Sequence, residues 1–295
     1  MSALPSLNSI EAEFYQYLEE TSSKGSNTPP SYVQAIHILN TVFKATRPEL
    51  LAPTGNLWLI TSSERLAAIR KVILDEVKKP GCGIFQVADQ RQKSYWKNNF
   101  CSAAVRAFAQ FQALQFRKRD MLYICEQSSN PVKLAKELEK FKLSVEPNVK
   151  DELGLSLDAL EGKDRLVLRK ARENQQKFRT LVLWNYQNQC CISGLPIVHS
   201  LQASHIKDWS EAPDLRLNAT NGLCLAAQYH LAFDNHLITL DEKYRLVIST
   251  TLHEYVTNEA YREQFLKYEG RKIQMPLKYA PSLELLAQHR ELLAV

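Results

Sequence analysis

The chain has 295 residues, 45% of them apolar and 23% charged, with a net charge of +5. That length holds one large domain or two ordinary ones, with enough apolar material for a core. No run of about 18 apolar residues occurs, which excludes a helix that spans a membrane, and the six scattered cysteines, none in a CxxC, read as buried thiols and not as a disulfide framework.

In chain order, residues 1–22 carry Ile10, Phe14, Tyr15 and Leu18 at helical spacing. Acids between them, and no basic-then-apolar pattern, make the cytoplasm the expected compartment. A polar loop over 22–31 leads into Pro29-Pro30, which suits the start of a second helix with Tyr32, Ala35, Ile36, Leu39, Val42 and Phe43 on one face. Residues 57–61, LWLIT, form a short strand-like or buried segment. Ser62 opens a capped amphipathic helix that Pro80-Gly81 ends. An aromatic and alanine-rich helix is predicted over 94–116, ahead of the basic cluster Arg117-Lys118-Arg119. The region 1–126 is thus expected to be a mostly helical domain that recognises DNA or a partner.

Composition changes over 127–162, where a turn, a short charged helix (PVKLAKELEKFKL) and an acidic stretch mark a linker. The remainder, 163–295, reads as a second domain. A helix is predicted from Lys163 to about Tyr186, with Leu168, Phe178, Leu181 and Val182 apolar and Arg169, Lys170, Arg172, Lys177 and Arg179 on a basic face. Solvation is the ordinary explanation of such a face and phosphate contact the sharper one.

Between Cys190 and Ser249 the chain holds four of its seven histidines, His199, His205, His230 and His236. Two short extended pieces are predicted between Ile192 and Ile206, the second ending at His205. A polar loop follows, then a helix capped by Thr220 or Asn221 and running to about Asn235, then a hairpin turning at Asp241-Glu242. The tail is predicted helical over 253–273 and again from Ser282.

A histidine ending a strand, an asparagine entering a helix and a second histidine along it resemble the HNH nuclease family, the ββα-metal fold. Here these are His205, Asn221 and His230, the last two nine positions apart and Asp234 four residues further on. A closer resemblance is to restriction-type endonucleases with a C-terminal HNH domain. It rests on five ordered motifs: Arg172/Gln175/Phe178/Arg179, CISG at 191–194, ASHIKDW at 203–209, NGLCL at 221–225 and HLAFD at 230–234. The fold class expected is α+β, a mostly helical N-terminal domain followed by a ββα-metal domain flanked by helices.

The resemblance implies hydrolysis of phosphodiester bonds in DNA, double-stranded and of phage origin in a restriction or defence setting. A neutral imidazole suits removal of a proton from water near neutral pH, and the resemblance gives that role to His205. It gives Asn221 the task of orienting the His205 loop, and His230 and Asp234 that of holding a divalent metal. Residues four apart on a helix share a face. Such a pair takes Mg²⁺, the first expectation, and also Mn²⁺ or Zn²⁺. Many members carry Asp or His just before the general base as a further ligand; Ser204 stands there, a poor ligand, so the metal rests on His230 and Asp234 with water and phosphate oxygens or takes a weak third contact from Ser204. The cysteines of a zinc ribbon are replaced by Ala226 and Tyr229, so no structural zinc is expected.

Arg216 and Asn218, in the loop before the helix, and Arg172, Arg179 and Lys207 are the candidate DNA contacts. His199 and His236 read as neighbours of the site, and Cys190, Cys191 and Cys224 as packing. Two other readings stand beside the nuclease: a DNA-binding module with a degenerate HNH domain, and recruitment to a defence complex through the N-terminal region. Cutting both strands would require a homodimer or sequential nicks.

Overall fold

The computed structural model describes residues 7–22, 25–143 and 163–293, with the backbone alone for 163–169. The acidic half of the expected linker and the side chains of Leu168 and Arg169 lie outside the described residues. The described chain divides into two units that meet in sequence between Phe116 and Arg117. No helix among the described residues is long and apolar enough to cross a membrane.

The first unit is helical: α1 (Leu7–Thr21), α2 (Thr28–Thr46), α3 (Ser63–Val77), the single-turn α4 (Ser94–Lys97) and the first half of α5 (Phe100–Gln127). Its centre is aromatic. Phe108 stands edge-on to both Phe14 and Trp58, with ring centroids 5.3 Å apart in each pair, the geometry that the ring quadrupole favours. Ser62 caps α3 as its sequence position predicts, its hydroxyl accepting from the Arg65 amide. The LWLIT segment is a buried 3₁₀ turn at Leu57–Leu59 and not a strand; Asn40 Oδ1 accepts from the Leu57 amide at 2.8 Å and holds it. The helix predicted to end at 116 continues through Arg117–Arg119 to Gln127, because nothing breaks it before Ser128-Ser129-Asn130-Pro131.

The second unit begins with the end of α5 and with α6 (Pro131–Lys140), capped by Asn130 and burying Leu134 and Leu138. Helix α7 (Lys163–Asn185) buries Phe178, Leu181 and Val182. Strand β1 (Leu201–His205) pairs antiparallel with β2 (Gly222–Ala226), in a register that sets His205 opposite Gly222 and Ser204 opposite Leu223. Then come α8 (Ala227–Asp234), the hairpin β3 (Ile238–Leu240) and β4 (Leu246–Ile248), α9 (Glu259–Gln264) and α10 (Leu283–Glu291).

Three expectations are corrected here. Only one strand precedes the loop, because residues 192–200 run as a turn, an irregular stretch over 194–197 and a 3₁₀ segment. The predicted helix over 221–235 is a strand for its first half. All five residues of GLCLA are buried, whereas a helix would have turned one side to solvent; α8 starts only where exposure begins to alternate, at Ala227. Asn221 therefore enters a strand and caps no helix. In the tail, 253–273 is not one helix but short turns around the six-residue α9. The hairpin forms as predicted, with Asp241 Oδ1 accepting from the amides of Lys243 and Arg245.

Candidate functional site

The β1–β2 hairpin lies between α7 and α8, and its pleat sends neighbouring side chains to opposite faces. Ser204 faces α8. Its hydroxyl is 2.5 Å from His230 Nδ1, and the same nitrogen is 3.4 Å from Asp234 Oδ1. One turn of α8 separates His230 from Asp234, so both side chains project from one stripe of the helix. Both contacts of His230 fall on Nδ1. The three residues therefore do not form a relay in which an imidazole passes a proton between its two nitrogens, and the fully buried Ser204 is not an exposed nucleophile.

Burial raises the Asp234 pKa from its ordinary value, against the pull of the His230 and His236 imidazoles, and the Asp208 carboxylate pushes the same way as burial. Among the described residues, no three His, Cys, Asp or Glu side chains gather as a metal cage. The cluster present is an imidazole nitrogen, a carboxylate oxygen and a hydroxyl. These hard and borderline donors fit a divalent cation as a partial shell, with positions left for water and phosphate oxygens.

His205 sits at the end of β1 and faces α7. Its ring stacks on Phe178 with centroids 3.6 Å apart and meets Trp209 edge-on at 5.3 Å. Its Nε2 is 3.2 Å from the Arg216 carbonyl oxygen. A carbonyl only accepts, so Nε2 carries the proton and Nδ1 keeps a lone pair. Burial pushes the His205 pKa below the ordinary histidine value, which favours the neutral ring. The hydrogen bond of His205 thus goes to the loop and not to the Ser204 cluster. Asp208 links the two sets: its carboxylate acts electrostatically on both His205 and Asp234. Sequence reasoning passed over Asp208, whose only signal was a carboxylate three residues after the histidine.

Asn221 is buried at the far side of the loop. Its Oδ1 accepts from the Lys207 amide at 2.8 Å, its Nδ2 donates to the Lys207 carbonyl at 3.1 Å, and its own carbonyl accepts from Ile206 N at 2.9 Å. These bonds clamp the backbone directly after His205.

The other candidates have mixed placements. Arg179 donates to the carbonyls of Leu201 and Val198, fastening β1 to α7. Asn218 is buried and caps Thr220 through both its amide and its hydroxyl. Arg216 lies over the Trp209 ring at 5.0 Å and donates from Nε to the Trp209 carbonyl. Lys207 Nζ reaches Gln288 at 3.3 Å, and Arg172 is exposed. His199 is exposed. His236 contacts His289 of α10, Nδ1 to Nε2, at 3.3 Å. Cys190, Cys191 and Cys224 are buried and pack, and burial raises the Cys191 thiol and pushes the Cys224 thiol up to about 12, so those two stay neutral.

Residues 190–241 match the family described as HNH endonuclease. The match takes in Ser204, His205, Asn221, His230 and Asp234 and leaves out α6, α7 and α10. No curated protein matches the chain.

Proposed function

We propose that this protein is a metal-dependent DNA endonuclease of the restriction or phage-defence type, working in the cytoplasm. The observation that carries the reading is the pair of sets around one hairpin. A neutral histidine with a free Nδ1 stands on one side, and an imidazole–carboxylate–hydroxyl cluster on the other, inside a stretch that matches an HNH endonuclease family. The five ordered motifs support the restriction subgroup.

In this reading His205 accepts a proton from the attacking water at Nδ1, while the Arg216 carbonyl holds the other nitrogen protonated. Asn221 fixes the 206–207 backbone and with it the aim of the ring. His230 and Asp234 hold the metal, Mg²⁺ first, and Ser204 fixes the His230 ring beside it. When bound, the cation supplies Lewis-acid stabilisation of charge on the scissile phosphate. Arg172, Lys207 and Arg216 contact phosphates, and the helical region 1–126 recognises DNA or a partner protein. Arg179 and Asn218 support the loop through the bonds described above. With one site per chain, cutting of both strands requires a dimer or two successive nicks.

The test is cleavage of plasmid and phage DNA by the purified chain with Mg²⁺ or Mn²⁺. Nicking that disappears with EDTA and in His205→Ala is expected; intact DNA with every divalent metal tried overturns the reading. A second reading, a DNA-binding module that no longer cuts, is favoured by Ser204 standing in place of a stronger ligand. It predicts salt-sensitive binding without cleavage, unchanged in His205→Ala.

A further inference from the structure

Beside His205 lies a cleft of about 700 Å³ whose α6 and α7 walls fall outside the HNH match. Its walls come from three elements: Lys136 and Glu139 on α6, Lys170 on α7, and Trp209, Asp214 and Arg216 on the loop between β1 and β2. Two of these six are also the neighbours of His205. The Trp209 ring meets the imidazole edge-on at 5.3 Å, and the Arg216 carbonyl is 3.2 Å from Nε2. An occupant of the cleft is therefore next to the histidine that the nuclease reading makes the base.

The chemistry of the lining narrows the occupant. A track for phosphates alone would carry cations. This cleft carries three cations, two carboxylates and an indole. A nucleobase needs that mixture: carboxylates accept from exocyclic amino groups, cations donate to ring nitrogens and carbonyls, and an indole gives a stacking face. The volume suits one nucleotide and not a duplex, since pockets of this size enclose single small ligands.

We propose that the cleft takes one unstacked nucleotide of the DNA substrate, next to the phosphate to be cut, and that α6 and the 209–216 loop set which base is accepted. This rests on the nuclease reading for its location, but the binding it predicts is measured without cleavage. A base already unpaired avoids the cost of extrusion.

The experiment compares binding of the full chain, in EDTA, to two short duplexes identical but for one unpaired nucleotide. The unpaired duplex is expected to bind about fivefold or more tightly, and Trp209→Ala is expected to abolish that ratio. Lys136→Glu, on the exposed side of α6, is expected to lower it and guards against a folding defect in the tryptophan variant. Equal binding of the two duplexes, or a ratio that survives in both variants, overturns the proposal. A chain that cuts DNA but shows no preference loses the cleft and keeps the nuclease. A preference lost in Trp209→Ala, in a chain that cuts nothing, sustains the cleft and ends the nuclease reading. A chain that binds neither duplex ends both.

Discussion

The environment of His205 is made by three neighbours from separate parts of the chain, and no single motif contains all three. Phe178 stacks on the ring, Trp209 closes its edge, and the Arg216 carbonyl fixes its tautomer. Burial holds the pKa below the ordinary histidine value, and in the proposed nuclease reading a base works only in its neutral form. The acid limb of kcat/KM against pH is therefore expected to fall below about 6.5, the unperturbed histidine value; a limb centred at or above that value contradicts the burial argument. His205→Ala is expected to lower kcat by about 10²–10⁴-fold, with the circular dichroism spectrum unchanged. The position of this histidine was legible from ASHIKDW, because a strand ending in His before a polar loop leaves a local pattern. Its tautomer was not legible, since Arg216 lies eleven residues away and contributes a backbone atom.

At the scale of elements, Gly222 decides how closely α7 approaches the hairpin. Its φ is ordinary extended backbone, so conformational freedom is not the reason for glycine. A Cβ there would stand 2.6 Å from Val182 Cγ2 and 3.0 Å from Phe178 Cζ. Gly222→Ala is expected to cost about 1–3 kcal/mol of stability by overpacking, measured by chemical denaturation. Because Phe178 is the ring under His205, the same change should also lower activity measured under conditions where the variant is folded. A variant with wild-type midpoint and wild-type rate would show that α7 yields freely. The NGLCL motif marked this stretch, yet as a helix. A continuous apolar run does not distinguish a buried strand from a buried helix, and the choice is made by burial between α7 and α8.

Across the second unit, the C-terminal residues are tied back to α7 and α8 by buried polar groups. Asn185, fully buried, accepts at Oδ1 from the amides of Lys278 and Tyr279 and donates from Nδ2 to the Tyr279 carbonyl. Asn185→Ala leaves those backbone groups without partners and is expected to cost about 1–3 kcal/mol in denaturant midpoint terms; no change would mean that water replaces the side chain. His289 is the second tie. Its Nδ1 is 2.9 Å from Thr239 Oγ1, its ring stacks on Phe233, and burial, with the His236 imidazole adding to it, lowers its pKa to about 4. The unfolded chain, with histidine near 6.5, binds a proton that the folded chain does not between those two values. Stability is thus expected to be complete above about 6.5 and to fall as pH drops toward about 4. His289→Gln should flatten that slope, and an unaltered slope would place the titration elsewhere.

The sequence by itself determined the α+β class, the helical character of the N-terminal half, the caps at Ser62 and Ser282, the hairpin at Asp241, the place of His205 at a strand end and the four-residue spacing of His230 and Asp234 on one helix. All of these rest on residues close together in the chain or on a fixed order of motifs. Only the tertiary structure decided that NGLCL is a strand, that Ser204 bonds to His230, that Arg179 and Asn218 turn inward, and that α6 lines a cleft beside Trp209. These depend on which surfaces meet when distant segments pack. Burial and hydrogen-bond satisfaction are properties of that packing, and no local pattern of residues encodes them.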